Sequence, residues 1–158
     1  MKLKGSCHCG KVIFKVSSKH PYPFNLCYCG ICRKTAGGGG FAINLGGDYQ
    51  SLKVSGEKWI SVYSAKLEDG LQANGCERRF CKNCGSALWV WDSRWPKLIH
   101  PFASAIDTPL PIPPKRTHLM IASKSEWVEI NPGDEDLQFE EYPVQSIEEW
   151  HMEHELEK

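Results

Sequence analysis

The sequence predicts a mainly β fold built from antiparallel sheets, with little helix. Short segments rich in β-branched and aromatic residues recur along the chain, and several alternate apolar with polar side chains. Glycine- and proline-containing turns separate these segments at short intervals, which is typical of strands that pair with their sequence neighbours. The predicted strands are 11–16, 58–65, 86–91, 98–106, 118–123 and 126–130.

Each predicted strand has its own signal. The first, KVIFKV, alternates apolar and polar residues directly after Gly10, whereas KWISVYSA and SALWVW combine β-branched with aromatic residues. LIHPFASAI, HLMIAS and EWVEI have a similar composition. The turn signals between the strands are GGD, LEDG, ANG, CKNCG and the proline-rich TPLPIPPKR. Such frequent turns favour antiparallel pairing.

Two short helices complete the predicted fold. One covers 31–35, directly after a group of cysteines. The other lies in the C-terminal segment SIEEWHMEHELEK, where Ser146 and Glu149 have the spacing of a capping box. Ile147 and Trp150 then share one helix face, which can pack against the body of the protein.

Length and hydropathy exclude several classes of protein. A chain of 158 residues has the length of one domain. No stretch approaches 18 consecutive apolar residues, so no membrane span is predicted. The start, MKLKGSCHCG, has no apolar core of a secretory signal. The predicted location is therefore cytoplasmic or nuclear, where thiols stay reduced.

The net charge of zero conceals two oppositely charged regions. Residues 1–133 carry 18 Lys and Arg against 9 Asp and Glu, whereas 134–158 carry one Lys against 10 acidic residues. We predict one main domain over 1–133 and an acidic extension over 134–158 that packs on it. The basic residues are scattered and no C-x₂₋₄-C-x₁₂-H-x₃₋₅-H frame is present, so no nucleic-acid partner is predicted.

Seven of the eight cysteines fall into three spaced groups. The groups are C-x-C at Cys7 and Cys9, C-x-C-x-x-C at Cys27, Cys29 and Cys32, and C-x-x-C at Cys81 and Cys84. A disulfide within C-x-C would close a strained ring, whereas two thiolates at this spacing suit one metal ion. In a reducing compartment these cysteines are therefore interpreted as metal ligands.

Seven ligands divide naturally into four and three. The two distant pairs can close a four-cysteine zinc site that staples the sheet, leaving the local triplet a second zinc with one open coordination position. An open position is typical of catalytic zinc. Spacing alone also allows Cys7 and Cys9 to pair with Cys27 and Cys29, and Cys32 with the remaining pair.

Cys76 decides whether the second site is open. The sequence NGCERRFC places it five residues before Cys81, on a strand that leads into the C-x-x-C turn. If it reached the triplet, both sites would have four cysteine ligands and be purely structural. The other interpretation is a free, partly buried thiol packed as a small apolar side chain.

The order of the motifs GSCHCG, CYCGICRK and RRFCKNCGSAL resembles that of the glutathione-dependent formaldehyde-activating enzyme family, also called the CENP-V/GFA domain family. HPFASAID and HLMIASKSEWVEI resemble its later segments, so the likeness runs from Gly5 to Ile130. The run Gly37 to Gly40 departs from the commonest family pattern.

The resemblance implies a tent-like fold of antiparallel sheets stapled by zinc, with two zinc ions per chain. By motif, the structural zinc would be held by Cys7, Cys9, Cys81 and Cys84. The catalytic zinc would be held by Cys27, Cys29 and Cys32. The implied activity is the condensation of glutathione with formaldehyde to S-hydroxymethylglutathione, a carbon–sulfur lyase reaction.

The predicted partners are a small thiol such as glutathione and an aldehyde. A three-thiolate zinc is formally −1, which damps its Lewis acidity, so it suits the positioning of a soft thiol better than hydrolysis. Arg33 and Lys34 directly follow the triplet and are candidates for binding substrate carboxylates. The alternative function is a non-catalytic, zinc-stabilised module for protein interaction.

Overall fold

The computed structural model describes residues 1–66 and 72–154, which contain eleven strands and two α-helices. The strands are β1 (Lys2–Ser6), β2 (Ile13–Ser17), β3 (Phe24–Cys27), β4 (Ala42–Asn44), β5 (Gly47–Ser55), β6 (Ile60–Lys66), β7 (Gln72–Cys81), β8 (Ala87–Asp92), β9 (Leu98–Pro101), β10 (Arg116–Leu119) and β11 (Leu137–Gln138). The helices are α1 (Gly30–Ala36) and α2 (Ile147–Glu153). Among these residues, none of the helices is long and apolar enough to span a membrane.

The strands form two sheets. The larger has seven strands in the order β1-β2-β5-β9-β8-β7-β6, and all its pairings are antiparallel. The smaller has the order β11-β10-β3-β4. In it, β3 pairs with β4 antiparallel, whereas β10 runs parallel to both β3 and β11. The predicted mainly β, antiparallel class is confirmed, and the two parallel pairings are an addition to it.

The core lies against the larger sheet and is made by alternation along its strands. Leu3 on β1 and Phe14 and Val16 on β2 are buried, while their neighbours in sequence face solvent. The Phe14 ring meets Trp89 of β8 edge-on, with ring centroids 5.0 Å apart. Gly5 keeps this packing close, because a Cβ there would collide with the Phe14 ring and the Ala105 carbonyl oxygen.

The smaller sheet positions the cysteine triplet. β3 ends at Cys27, and α1 begins three residues later, at Gly30. The Cys29 sulfur caps this helix by accepting the backbone N–H of Cys32, at 3.3 Å. The helix predicted over 31–35 is therefore confirmed; Cys29 is its N-cap and Cys32 lies in its first turn.

The C-terminal residues pack onto the same body. β11 pairs with β10, and α2 buries Trp150 and His151, whose Nε2 donates to the Tyr22 carbonyl oxygen at 2.5 Å. The predicted capping box is confirmed in both directions between Ser146 and Glu149. The last four residues of the predicted helical segment lie outside the described residues.

Some predicted elements differ from the structure. Residues 126–130 are not a strand, because a turn closed by Val128 N–H to the Ser125 carbonyl oxygen buries Val128 and leaves Trp127 exposed. Strand β10 stops at Leu119, since Met120 has a left-handed backbone with φ 60°. The predicted turn ANG lies inside β7, and LEDG at 67–70 lies outside the described residues.

Candidate metal centres

The first cluster joins two turns that are far apart in sequence. Cys7 and Cys9 follow β1, Cys81 ends β7, and Cys84 lies in the turn before β8. The four sulfur atoms all lie within 4.8 Å of one another. Two of the separations are 3.5 Å for Cys7–Cys9 and 3.8 Å for Cys9–Cys81. Zn–S bonds of about 2.3 Å in a tetrahedron require about 3.8 Å between sulfurs, so the cluster fits zinc.

The two turns of this cluster have the same backbone design. Gly10 and Gly85 each follow a second cysteine and adopt a left-handed conformation, with φ of 72° and 76°. Each of these glycines donates its N–H to the carbonyl oxygen of the first cysteine in its own turn, at 2.9 and 2.7 Å. The backbone therefore folds each pair of thiols toward one point, as a metal knuckle requires.

The exposed thiol of Cys84 loses its proton more readily than the buried thiol of Cys81. Hydrogen bonds from the Ser86 hydroxyl, 3.2 Å away, and from backbone groups lower the pKa of Cys84 to about 5. Burial raises the pKa of Cys81 to about 11. Zinc binds cysteine as the thiolate. Cys84 is therefore ready to bind the ion, whereas the buried Cys81 thiol would lose its proton only as the ion binds.

The second cluster is local and more deeply placed. The sulfur atoms of Cys27, Cys29 and Cys32 lie within 4.8 Å of one another, with Cys27 and Cys32 buried and Cys29 half-buried. In the part of the chain that the structure describes, no fourth Cys, His, Asp or Glu joins this group. Three sulfurs at metal-binding distance with a fourth ligand position free fit the donor set of an open zinc site.

The three thiols share negative charge unequally. Hydrogen bonds from the Cys27 and Cys32 thiols, reinforced by backbone N–H groups, lower the pKa of Cys29 to about 2. The same contacts, together with burial, raise the pKa of Cys27. One thiolate, at Cys29, is thus stabilised before any ion binds.

Cys76 lies beside this cluster without joining it. Strand β7 carries it as predicted, and it is half-buried against the group that contains Cys27 and Cys32. Its sulfur is outside the set of mutually close ligand atoms, and burial raises its pKa. The geometry matches a partly buried thiol packed as an apolar side chain.

Two polar side chains approach Cys32 from other strands, and the sequence-based analysis did not identify either. Arg78 Nη2 of β7 lies 3.7 Å from the Cys32 sulfur, and Asn44 Nδ2 of β4 lies 3.9 Å from it. Arg78 is only 7% exposed. Side chains two residues apart on a strand share a face, so Cys76 and Arg78 lie on the same side of β7. Placing Cys76 beside the triplet from the sequence would therefore have placed Arg78 there as well.

A buried hydrogen-bonded chain links the triplet to the acidic C-terminal residues. The Tyr28 hydroxyl, between Cys27 and Cys29 in sequence, lies 2.8 Å from His118 Nδ1. His118 Nε2 lies 3.3 Å from Asp136 Oδ2. The fixed position of Tyr28 restrains the backbone that carries the two flanking cysteines.

Tyr142 brings a second C-terminal residue near the triplet. Its ring is largely exposed, but desolvation of the hydroxyl and the negative charge of the three thiols raise its pKa to about 12. Tyr142 was also absent from the sequence-based site. No local pattern marks it, because residues 27–32 and 142 come near each other only in the folded chain.

A cleft of about 700 Å³ lies between the turn that carries Cys7 and the C-terminal half of α1. Its walls are Ser6, Cys7, His8, Arg33, Lys34, Thr35, Ala36, Gly37, Gly38, Gly85, Ser86, Ala87, Ser104, Ala105 and Asp107. Both predicted carboxylate-binding residues, Arg33 and Lys34, line it. Arg33 Nε is buried with no hydrogen-bond partner among the described residues. The cleft thus offers two cations and one acid, Asp107, along one wall of α1 and the facing loops.

Comparison with known proteins finds a matching family, a similar sequence and a similar fold. A family model described as glutathione-dependent formaldehyde-activating enzyme matches residues 2–123. A curated Halomonas elongata protein, provisionally named a glutathione-dependent formaldehyde-activating enzyme, is 61% identical over 151 residues, covering 96% of this chain and 95% of the relative. A crystal structure of a Rhodobacter sphaeroides protein superposes with a TM-score of 0.51 at 22% identity, covering 70% of this chain and 92% of that one. The latter likeness concerns the fold alone.

Proposed function

This chain belongs to the glutathione-dependent formaldehyde-activating enzyme family, and from that premise we propose that it joins a small thiol to an aldehyde. The thiol is glutathione or a close analogue, the aldehyde is formaldehyde, and the product is the S-hydroxymethyl thiol. The proposal is supported above all by one observation: a largely buried triplet of cysteine sulfurs that no fourth Cys, His, Asp or Glu joins among the described residues.

The cysteine clusters are proposed to hold two zinc ions of different roles. Cys7, Cys9, Cys81 and Cys84 form a closed set that would hold a structural ion. Cys27, Cys29 and Cys32 would hold the catalytic ion. When bound there, zinc would supply a Lewis acid that favours the thiolate form of an incoming thiol near neutral pH.

The cleft is proposed to hold the rest of the thiol substrate. Glutathione carries two carboxylates and one ammonium group, and Arg33, Lys34 and Asp107 offer the opposite set. From Cys29 to Arg33 the helix rises roughly 6 Å, which is comparable to the reach from the sulfur of glutathione's central cysteine to one of its terminal carboxylates. A thiol at the triplet can therefore place a carboxylate near Arg33 of α1.

Of the two cations that line the cleft, Arg33 is proposed to bind the substrate carboxylate more tightly than Lys34. Its guanidinium can pair with a carboxylate through two parallel hydrogen bonds, and its buried Nε has no partner among the described residues. Lys34 is exposed and acts as a point charge at the rim of the cleft. Binding in this way fixes the thiol so that its sulfur lies beside the triplet.

The reaction needs no oxidant or reductant. The sulfur attacks the carbonyl carbon, a carbon–sulfur bond forms, and the electron pair of the C=O double bond moves to oxygen. The proton that the thiol loses is regained at that oxygen. The protein's task is therefore orientation and charge stabilisation, since formaldehyde and thiols also condense unaided.

Exchange NMR between hydrated formaldehyde and S-hydroxymethylglutathione tests the function, because it measures condensation at equilibrium. The expected result is an exchange rate above the spontaneous one, proportional to protein concentration, and lost in Cys29→Ser. Cys76→Ser, which removes a neighbouring thiol outside the ligand set, is the matched control and should retain exchange. A folded, zinc-loaded protein that gives only the spontaneous rate would favour the protein-interaction module instead.

A further inference from the structure

We propose that Arg78 and Asn44 form a small polar subsite beside Cys32 that binds the oxygen atom of the aldehyde reactant. This inference rests on the proposed condensation and adds to it the place of the second reactant. The thiol would occupy the cleft along α1, and the aldehyde would approach the triplet from β7 and β4.

Arg78 is a buried cation whose hydrogen-bonding capacity is mostly unused. Arg78 is 7% exposed, and its Nη2 lies 3.7 Å from the Cys32 sulfur. Nε and Nη1 are buried and have no hydrogen-bond partner among residues 1–66 and 72–154. Buried N–H groups of a charged side chain are costly when unpaired, so their retention points to a ligand that accepts from them.

The carboxylates near Arg78 in the strands are bound to other arginines. Glu77, the preceding residue on β7, forms an ion pair with Arg79, because alternation along the strand sends both to the opposite face. Asp92 of β8 accepts from Arg94 Nη2 at 2.7 Å and from Arg94 Nε at 3.0 Å. Arg78 is therefore directed to the sulfur cluster and to whatever binds beside it.

Asn44 adds a hydrogen-bond acceptor to the same place. Its Nδ2 lies 3.9 Å from the Cys32 sulfur, and its Oδ1 is buried without a partner among the described residues. An oxygen that accepts from Arg78 as a carbonyl, and donates to Asn44 once it becomes a hydroxyl, would satisfy both side chains. A hydroxymethyl group has this combination.

The surrounding side chains restrict the reactant to a small one. Ala42, Val90, Phe102 and Leu119 are buried around the triplet and offer apolar walls. Within them the guanidinium faces the atom that gains negative charge as the carbon–sulfur bond forms. In a site from which water is excluded, such a fixed cation stabilises the developing oxyanion strongly.

The charge of the site agrees with this role. Three thiolates and one divalent ion sum to −1, and the substrate thiolate adds a further negative charge, which moves to the aldehyde oxygen as the carbon–sulfur bond forms. Arg78 offsets one of these negative charges. The subsite thus allows a thiolate-rich centre to accept a reaction in which an oxygen becomes negative.

Formate is the probe for this subsite, because it is a one-carbon oxyanion whose binding can be measured without turnover. Binding is followed by ¹³C NMR titration of formate against wild type, Arg78→Met, Arg78→Lys and Arg79→Met, with zinc content and thermal unfolding measured for each. Arg79 is the matched control, since it neighbours Arg78 but pairs with Glu77 on the other strand face.

We expect Arg78→Met to weaken formate binding at least about tenfold and Arg79→Met to leave it unchanged. In the exchange assay, Arg78→Lys should raise the apparent KM for formaldehyde and leave that for glutathione unchanged, because lysine keeps the charge but not the planar fork. If Arg78→Met does not fold, this difference between the two KM values of Arg78→Lys still tests the subsite. Weakened substrate binding from general damage to the fold would instead raise both KM values.

Two results would overturn the subsite: no formate binding to the wild type, or equal binding to a folded, zinc-loaded Arg78→Met, which would place formate on the metal alone. Failure of the proposed function gives a different pattern. Formate would then bind in an Arg78-dependent manner while the exchange rate stayed at the spontaneous value.

Discussion

The two cysteine clusters use the same ligand atom but differ in how the chain reaches them. In the four-cysteine cluster, Cys9 and Cys81 lie 72 residues apart and meet at 3.8 Å. The three-cysteine cluster is contained within residues 27–32, at the junction of β3 and α1. An ion in the first closes a long loop and so contributes to folding, whereas an ion in the second closes only a short turn.

The surroundings of the clusters differ in the same sense. The four-cysteine turns are supported by backbone hydrogen bonds and expose Cys9 and Cys84 to solvent. The triplet is supported by the side chains of Arg78 and Asn44, which reach it from distant strands. Costly buried polar side chains therefore lie around the cluster that has three ligands among the described residues, which is where the proposed reactant would bind.

The comparison is tested most severely by removing one ligand from the four-cysteine cluster. Cys81→Ser should abolish the cooperative thermal transition, because binding of a structural zinc by thiolates contributes about 10–16 kcal/mol, as much as or more than the net stability of a typical domain. Circular dichroism melts and zinc analysis measure the effect. A Cys81→Ser protein that melts like the wild type would show that this cluster is not a staple.

The matching change in the triplet should leave the fold intact. For Cys29→Ser we expect loss of one of two zinc ions per chain, exchange activity at the spontaneous rate, and a melting temperature within a few degrees of the wild type. Zinc content by atomic emission, before and after mild chelation, measures the difference. If Cys76→Ser instead released the ion, the triplet would be a closed four-cysteine site.

Much of the division of the cysteines into groups could be predicted from the sequence, for physical reasons. Metal-binding turns need small residues and fixed spacing, so Cys7 with Cys9 and Cys81 with Cys84 are visible as local patterns. Which turn faces which is a matter of tertiary structure, and spacing left another pairing open. Sulfur positions in the folded chain bring these two pairs together and leave the triplet separate.

The side chains around the triplet were less predictable. Arg78 lies in the motif CERRFC, where two adjacent arginines look equivalent in sequence. Only the pairing of β7 with β8 and its packing on the triplet separate the buried Arg78 from Arg79, which pairs with Glu77. Likewise Asp136 belongs to an acidic run that predicts a solvent-exposed surface, yet its carboxylate is buried beside His118.

A smaller effect is expected in the cleft that Arg33 and Lys34 line. Arg33→Ala should raise the apparent KM for glutathione about tenfold and leave that for formaldehyde unchanged, because it removes a charge-assisted hydrogen bond to a carboxylate. Steady-state exchange rates at varied glutathione measure it. Lys53→Ala, which removes an exposed cation from β5, is the control. Equal changes in the two variants would mean that the cleft attracts the substrate only through overall charge.

The last prediction concerns the hydrogen-bonded link between the triplet and the C-terminal residues. Asp136 is buried, which opposes its charge, but the backbone N–H groups of Arg116 and Gly133 and the ring of His118 outweigh this and lower its pKa. Asp136→Asn should reduce the free energy of unfolding at pH 7 by about 1–3 kcal/mol, the cost of weakening a buried, charge-assisted hydrogen-bond set.

The pH dependence identifies the carboxylate as the cause of that loss. Since its pKa is lower in the folded than in the unfolded protein, its contribution is complete above the unfolded value of about 4 and is lost as pH falls through the folded value. The difference in unfolding free energy between wild type and Asp136→Asn, from urea denaturation, should therefore be constant from pH 7 to 5 and shrink below pH 4. Acid release of metal affects both proteins alike, so it cancels in this difference. A difference that persists unchanged at low pH would mean that Asp136 acts through packing, and that its charge does not tie the triplet to the C-terminal residues.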